Sequence, residues 1–448
     1  MSHPSITSVA IENWKSFRRG SLELANLTLL VGTNASGKSN ALEALKLLNW
    51  LADGGNLGRF REAIEPERGA FQIRGALSDL IYRNAPEPRF EISCFVSGPG
   101  AAEELRMQLQ LELADGELRI ASESLTRPRP LKDPEILYAA TRREGQVGNV
   151  IQVAYNNFKR GGKKPIIDCV DQYPVFTQLQ SPARFAKSDA TSQSVLPDAC
   201  RRVQQALGAV LFLDPEPNAM RGWADKLSRR LLPNGANVSA VLFALWEGPA
   251  NRSALLDFVA HLPDQAIAGL TFQFSPRNEV MVRLQESFGG RIQETDAPLL
   301  SDGTLRVLSI AAALLSVESG TLVVIEEMDN GVHPSRAGQL LASINKVASA
   351  RDLRVLLTTH NPAMLDSLPI AAIPAVTVCD RDEDGSSRLT LLEDIVRYPQ
   401  LVASGPLGQS ATRGVLERFV KEAGSDDERI RHIDEWLTSL PPIDGAAQ

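Results

Sequence analysis

A chain of 448 residues, 43% of them hydrophobic, can bury a large core and divide into two or three lobes, which predicts a globular protein. A net charge of -7 with a pI near 5.5 excludes a general nucleic-acid coat and leaves only a local basic face open to such a partner. Four cysteines, at positions 94, 169, 200 and 379, contain no CxxC pair, which excludes a zinc knuckle or a disulfide scaffold and fits a reducing compartment. The opening "MSHPSITSVAIENWKSF" has no signal-peptide core and no run of eighteen apolar residues occurs, so a cytoplasmic protein without a membrane partner is expected.

Taken in order, "ITSVAIENW" and "LTLLVG" predict two strands, and "SNALEALKLLNWLA" predicts a helix with Ala41, Leu42, Leu45, Leu48 and Leu51 on one face. "RFEISCFV" and the two alternating runs around "ADGE" predict antiparallel strands joined by a hairpin turn, and "EILYAATRR" and "NVIQVAYNNF" continue that sheet. Residues 185–265 read as a helical lobe, carried by "DACRRVQQALGAVLFL", "GWADKLSRRLL" and "VSAVLFALWE". "GLTFQF" and "VMVRLQESF" return to strand, and then "TLRVLSIAAALLSVES" (helix), "TLVVIEE" (buried strand), "PSRAGQLLASINKVA" (helix) and "LRVLLTT" (buried strand) alternate. Apolar strands alternating with helices predict a parallel sheet and an α/β fold. The expected divisions are an N-terminal lobe at 1–184, the helical lobe at 185–265, a C-terminal lobe at 266–370 and a tail at 371–448 that ends in a helix at "EWLTSLPP".

The strand "LTLLVG" runs into "GTNASGKS", which fits GxxxxGK[ST] with a helix directly after it. Such a loop wraps phosphate with backbone amides at a helix N-terminus, so Gly32, Thr33, Asn34, Ala35, Ser36, Gly37, Lys38, Ser39 and Asn40 are the candidate nucleotide-binding residues. Lys38 would reach the β and γ phosphates of ATP, and the Ser39 hydroxyl would ligate Mg2+. A second buried strand ending in acids then has a purpose: Glu326 would be presented to the metal, and Glu327 would orient and deprotonate the attacking water. Asp329 fits a helix cap or a partner contact equally well. His360 ends the next buried strand, where an imidazole can sense the γ phosphate by hydrogen bond.

Together these motifs resemble the ATP-binding heads of ABC-type ATPases in the branch containing SMC, RecF and OLD proteins and many small bacterial AAA-labelled ATPases. The likeness spans nearly the whole chain, and "LLSDGTLRVLSIAAALL", residues 299 to 315, looks like the signature segment of that branch. The resemblance implies a P-loop NTPase head with an antiparallel β-subdomain and an inserted helical lobe. It also implies a homodimer or higher homo-oligomer in which Ser301 and Gly303 of one subunit meet the γ phosphate held by the other. Glu326 stands where many relatives carry aspartate, and Gln72 is the candidate for the glutamine that links metal to lobe movement.

The spacing is too short for SMC-like arms, and the acids of "CDRDEDGSSRL" (Asp380, Asp382 and Asp384) read as a solvated turn and not as the nuclease site of a Toprim domain. Without arms or nuclease, the resemblance implies a separate effector protein, a nuclease or toxin, in bacterial antiphage defence. A RecF-like repair ATPase acting on DNA, or an ATP-bound scaffold with little hydrolysis, are the alternatives. Positive excess in "TRPRPLK", "TRR" and "KRGGKK", with "CRR" and "LSRR" further on, fits either a DNA backbone groove or a charge-balanced surface.

Overall fold

A computed structural model describes residues 3–64, 73–98, 103–129, 131–143, 148–159, 161, 163–185, 190–259, 266–288, 291–328, 334–368, 370–395, 398–403, 405–412 and 415–421. Gln72, Asp329 and the segment "EWLTSLPP" lie outside the described residues. The N-terminal strands are β1 (Ile6–Trp14), β2 (Phe17–Glu23), β3 (Leu27–Val31), β4 (Arg89–Val96), β5 (Leu105–Ala114) and β6 (Glu117–Arg129). They are followed by β7 (Lys132–Thr141), β8 (Val150–Tyr155), β9 (Ile166–Val170), β10 (Val210–Leu213), β11 (Ala224–Asp225) and β12 (Ala266–Phe274). The last are β13 (Glu279–Phe288), β14 (Arg291–Asp296), β15 (Leu322–Ile325), β16 (Arg354–Thr359), β17 (Val376–Arg381) and β18 (Ser387–Leu391). The longer helices are α1 (Lys38–Ala52), α2 (Ala190–Gly208), α3 (Val238–Glu247), α4 (Pro249–Val259), α5 (Asp302–Ser316) and α6 (Pro334–Ala350).

Fourteen strands form one sheet in the order β10-β15-β16-β3-β17-β18-β2-β1-β4-β5-β6-β7-β8-β9. From β10 to β17 every pairing is parallel, as the continuous apolar runs LTLLV, LVVI and RVLLTT require of strands covered on both faces. From β2 to β9 every pairing is antiparallel, and the alternating burial of β5 and β8 is that of a sheet with one covered face. The "ADGE" turn closes β5 on β6 with Ala114 opposite Glu117, and Asp115 and Gly116 both take positive φ, as a two-residue hairpin needs. The outer edge at β9 is closed to strand addition. Gln178 accepts from the Val170 N–H and donates to its carbonyl, while Arg184 donates to the carbonyl of Asp168.

Helix α1 is more buried than one apolar face would make it. Ala44 and Leu47 are buried along with the predicted face, because α1 packs in one core with strands β1 and β4 on one side and α2 on the other. A second, four-stranded sheet (β11 to β14) packs its apolar face under α3, α4 and α5.

Residues 185–265 depart from the reading as one helical lobe. Helix α2 packs into the first core with Leu196, Val203 and Leu207, whereas α3 and α4 pack into the second with Val241, Leu242 and Leu255. "VLFL" is not the end of a helix but β10, the edge strand of the parallel core, paired with β15. "GWADKLSRRLL" is not helical: Ala224 and Asp225 join β13, and the Asp225 carboxylate accepts from the Leu227 N–H in a local turn that competes with helix.

Candidate functional site

Because β10, β15, β16, β3 and β17 are parallel, their C-terminal ends share one edge, where open α/β sheets place ligands. A cavity of about 740 Å³ lies there, lined by Asn34 to Asn40, Glu326, Glu327, Thr358, Thr359 and His360, so three separate sequence segments converge. Ser301 and Gly303 are not among its lining residues; they start α5, where the Ser301 hydroxyl caps the helix by accepting from the Thr304 N–H at 3.1 Å.

The loop from Gly32 to Ser39 is held from three directions. A side chain on Gly32 would run into the Cys379 carbonyl of β17, and one on Gly37, whose φ is +123°, would run into the Ser387 hydroxyl of β18. The Ser387 hydroxyl donates to the Ser36 carbonyl at 2.5 Å and lies within hydrogen-bond distance, 2.8 Å, of the Ser16 hydroxyl. Ser16, in the β1–β2 turn, also accepts from the Asn40 amide at 2.7 Å, and the Trp14 indole donates to the Asn40 carbonyl at 2.7 Å. The Asn40 amide therefore braces the loop through Ser16. Ala35 takes φ of 63°, an uncommon conformation for a residue with a side chain, and its carbonyl accepts from Arg381 at 3.0 Å.

Lys38 donates to the carbonyls of Gly32 and Thr33 at 2.7 and 2.9 Å, so its ammonium lies inside the curl of the loop. Glu326 follows β15 and accepts from Lys46 of α1 at 2.8 Å; the Lys46 ammonium also sits 5.5 Å from the Phe212 ring. Glu327 is exposed with φ of 48°, a strained backbone costing on the order of 1–3 kcal/mol. That conformation is pinned by the Glu327 N–H donating to the Thr358 hydroxyl at 3.0 Å and the Met328 N–H donating to the Thr358 carbonyl at 3.1 Å. Strain held at an exposed carboxylate beside a phosphate-type loop fits a functional acid. His360 is exposed at the end of β16.

Several charged residues had no motif to reveal them, among them Lys15 and Arg74, which line the cavity, and two acids that lie behind and beside it. Glu43 of α1 is only 2% exposed and is gripped by Lys15 and by Arg74, the latter at 2.6 Å. Burial lowers the Lys15 pKa, and the Glu43 hydrogen bond opposes that shift. Asp214 follows β10 just past the Leu213–Ile325 pair, as Glu326 follows β15; packing around it, and then the charge of Glu326, push its pKa up. The only sequence hint for these groups was position, either beside a predicted turn or after a short apolar run.

The donors present fit a nucleoside triphosphate with magnesium: a loop closed to side chains at two glycines, a lysine inside it, a serine hydroxyl and two carboxylates on the facing strand. Among the described residues there is no group of three or more acid, histidine or cysteine side chains placed to hold a metal by themselves, and Asp380 instead pairs with Arg388. No helix among them is long and apolar enough to cross a membrane.

Residues 27–366 match the family model described as "AAA domain, putative AbiEii toxin, Type IV TA system". Among solved structures the chain is similar to an Smc head bound to the C-winged helix domain of ScpA, at 13% identity and TM-score 0.47, covering 86% of this chain and 97% of that one. It is also similar to the SMC head domain from Thermotoga maritima, at 11% identity and TM-score 0.41, covering 86% and 98%. A third is the Smc head with an extended coiled coil bound to the C-terminal domain of ScpA, from Pyrococcus furiosus, at 11% identity and TM-score 0.45, covering 89% and 100%. No curated protein matches this chain.

Proposed function

The chain belongs to the AAA-domain family of that description, and from this premise we propose that it binds and hydrolyses ATP as a head-to-head homodimer that controls a separate effector in antiphage defence. The observation that carries the reading is the single cavity holding the phosphate-type loop, Glu326, Glu327 and His360 but not the chain's own Ser301 and Gly303. A site that lacks its signature residues is completed by a second copy. The toxin in the family's description supports an effector, while the DNA-repair and scaffold readings remain outcomes of the test.

In this reading the loop amides and Lys38 bind the β and γ phosphates, with Lys38 leaving the carbonyls of Gly32 and Thr33 to do so. Mg2+ held by Ser39 and Glu326 would supply neutralisation of the phosphate charge. Glu326 has one oxygen engaged by Lys46, so Lys46 fixes its rotamer and tempers its charge. Glu327, fixed by Thr358, takes the proton of the attacking water, and His360 donates to the γ phosphate. ATP shifts the monomer–dimer balance because only the dimer offers it both surfaces, and the effector reads that balance.

The test is ATP turnover against protein concentration, with and without duplex DNA, for wild type and Glu327→Gln. Rate per subunit should rise with concentration, and the variant should lose roughly 10²–10⁴-fold in turnover while retaining ATP binding. A rate independent of concentration, with the variant equal to wild type, would exclude the composite site and favour a nucleotide-holding scaffold. A rise with DNA would favour the repair ATPase.

A further inference from the structure

The turn that opens α5 is held by a residue from far upstream. Arg221 donates through Nη2 to the Leu300 carbonyl at 3.1 Å and to the Asp302 carboxylate at 2.6 Å, and through Nη1 to Asn218 at 3.2 Å. These bonds bracket Ser301 on both sides, and Ser301 and Asp302 are exposed. The two bonds that bracket Ser301 come from one guanidinium nitrogen, while the other anchors the planar fork on Asn218.

Arg221 itself stands at the end of a short, pinned segment. Asp214 begins it beside Glu326, because β10 pairs with β15 in register up to Leu213 and Ile325. The Asp214 and Glu216 N–H groups donate to the carbonyls of Pro233 and Asn234 at 2.9 and 3.0 Å, and Met220 is fully buried in the same core as Leu300, Leu305 and Leu308. The charge of Arg306, one turn into α5, also faces Asp214. Residues 214–221 are thus a strut with the acid-bearing sheet edge at one end and the Ser301–Gly303 turn at the other.

We infer that Arg221 is a positioning residue that presents the Ser301–Gly303 turn to the nucleotide of a second copy, and that the 214–221 strut ties this turn to the Glu326 edge of its own chain. The inference rests on the composite-site reading above. Arg221 does not line the cavity of its own subunit; its effect passes through Ser301 and Gly303.

The experiment compares Glu327→Gln with the double variant Glu327→Gln/Arg221→Ala for MgATP-dependent self-association by analytical ultracentrifugation, alongside binding of a fluorescent ATP analogue and a thermal melt. Glu327→Gln should associate with ATP; the double variant should bind the analogue equally well, melt cooperatively and stay monomeric. In the otherwise wild-type chain, Arg221→Ala should lower kcat roughly 10–100-fold with KM little changed, and Arg221→Lys, which keeps the charge but not the fork, should recover part of it. Equal association of the double variant, or loss of analogue binding in parallel with association, would overturn the inference alone. Failure of Glu327→Gln itself to associate would remove the composite-site reading and the inference with it.

Discussion

The two halves of the long sheet treat their cations differently. In the antiparallel half, arginines are spent on carboxylates of neighbouring strands: Arg89 and Arg119 share Glu112, Arg127 and Arg129 share Glu135, and Arg142 pairs with Asp171. At the C-terminal edge of the parallel half, Lys38 rests on the carbonyls of Gly32 and Thr33, Arg381 on those of Ala35 and Gly385, and Arg83 on that of Asp384. A carbonyl satisfies the donor without cancelling the charge. Of the positive excess that the sequence places at residues 126–164, Arg127, Arg129 and Arg142 are paired with carboxylates of their own sheet, while beside the loop that would hold phosphate Lys38, Arg381 and Arg83 are held by carbonyls and Lys46 pairs with Glu326.

That contrast is broken first at Lys38. Lys38→Ala should lower ATP turnover by about 10²–10³-fold and weaken ATP binding, measured by steady-state kinetics and analogue titration. A variant that still turned over ATP like wild type would mean that the Lys38 ammonium at this edge serves something other than phosphate.

Glu123 sharpens the comparison from within the antiparallel half, because it is an acid that neutral donors satisfy. Only 1% exposed, it accepts from the Tyr138 hydroxyl at 2.6 Å and from the N–H groups of Val175 and Phe176 at 2.7 and 2.9 Å. Burial raises its pKa from 4.5 to about 7 against those hydrogen bonds. A raised carboxyl pKa favours the fold while the proton stays on, so the benefit is full below pH 4.5 and is lost as pH rises to about 7, amounting to about 3 kcal/mol. Urea melts between pH 5 and 8 should show wild type losing stability across this window and Glu123→Gln losing less. The variant should also be weaker by about 1–3 kcal/mol at pH 5, where its amide turns a donor toward a donor. Identical pH slopes in the two proteins would show that Glu123 does not carry the proton.

The smallest effect belongs to Arg129, which is nearly half exposed and whose partner Glu135 keeps Arg127. Arg129→Ala should shift stability by less than about 1 kcal/mol and leave both turnover and its response to DNA unchanged. A strong loss of DNA response would mark this surface as a backbone contact despite its internal pairing.

What could be read beforehand follows from the range of the interactions. The glycine-rich loop, the acids after β15 and the histidine after β16 declare themselves within a few residues, and the parallel register brings them to one cavity. Ser16 and Ser387 brace the loop from 20 or more positions away in sequence, and Arg221 reaches Asp302 across 81 positions, so no local pattern announces them. Strand β10 escaped because a four-residue apolar run directly after a helix has too few positions to show a period of two. The segment at 222–232 has helix-forming residues but spends its side chains and backbone on turns and on the edge of β13.

The fourteen-stranded sheet is not equally stitched along its width. Strands β5 and β6 pair over nine positions, yet β18 and β2, where the parallel and antiparallel halves meet, pair only at Ser387 and Phe17. The narrowest seam in the sheet thus passes through the serine whose hydroxyl holds the Ser36 carbonyl. A tilt of one leaf against the other would open the fewest backbone bonds along this line, and the phosphate-type loop lies directly on the crease. Mechanical load and nucleotide would meet at the same side chain.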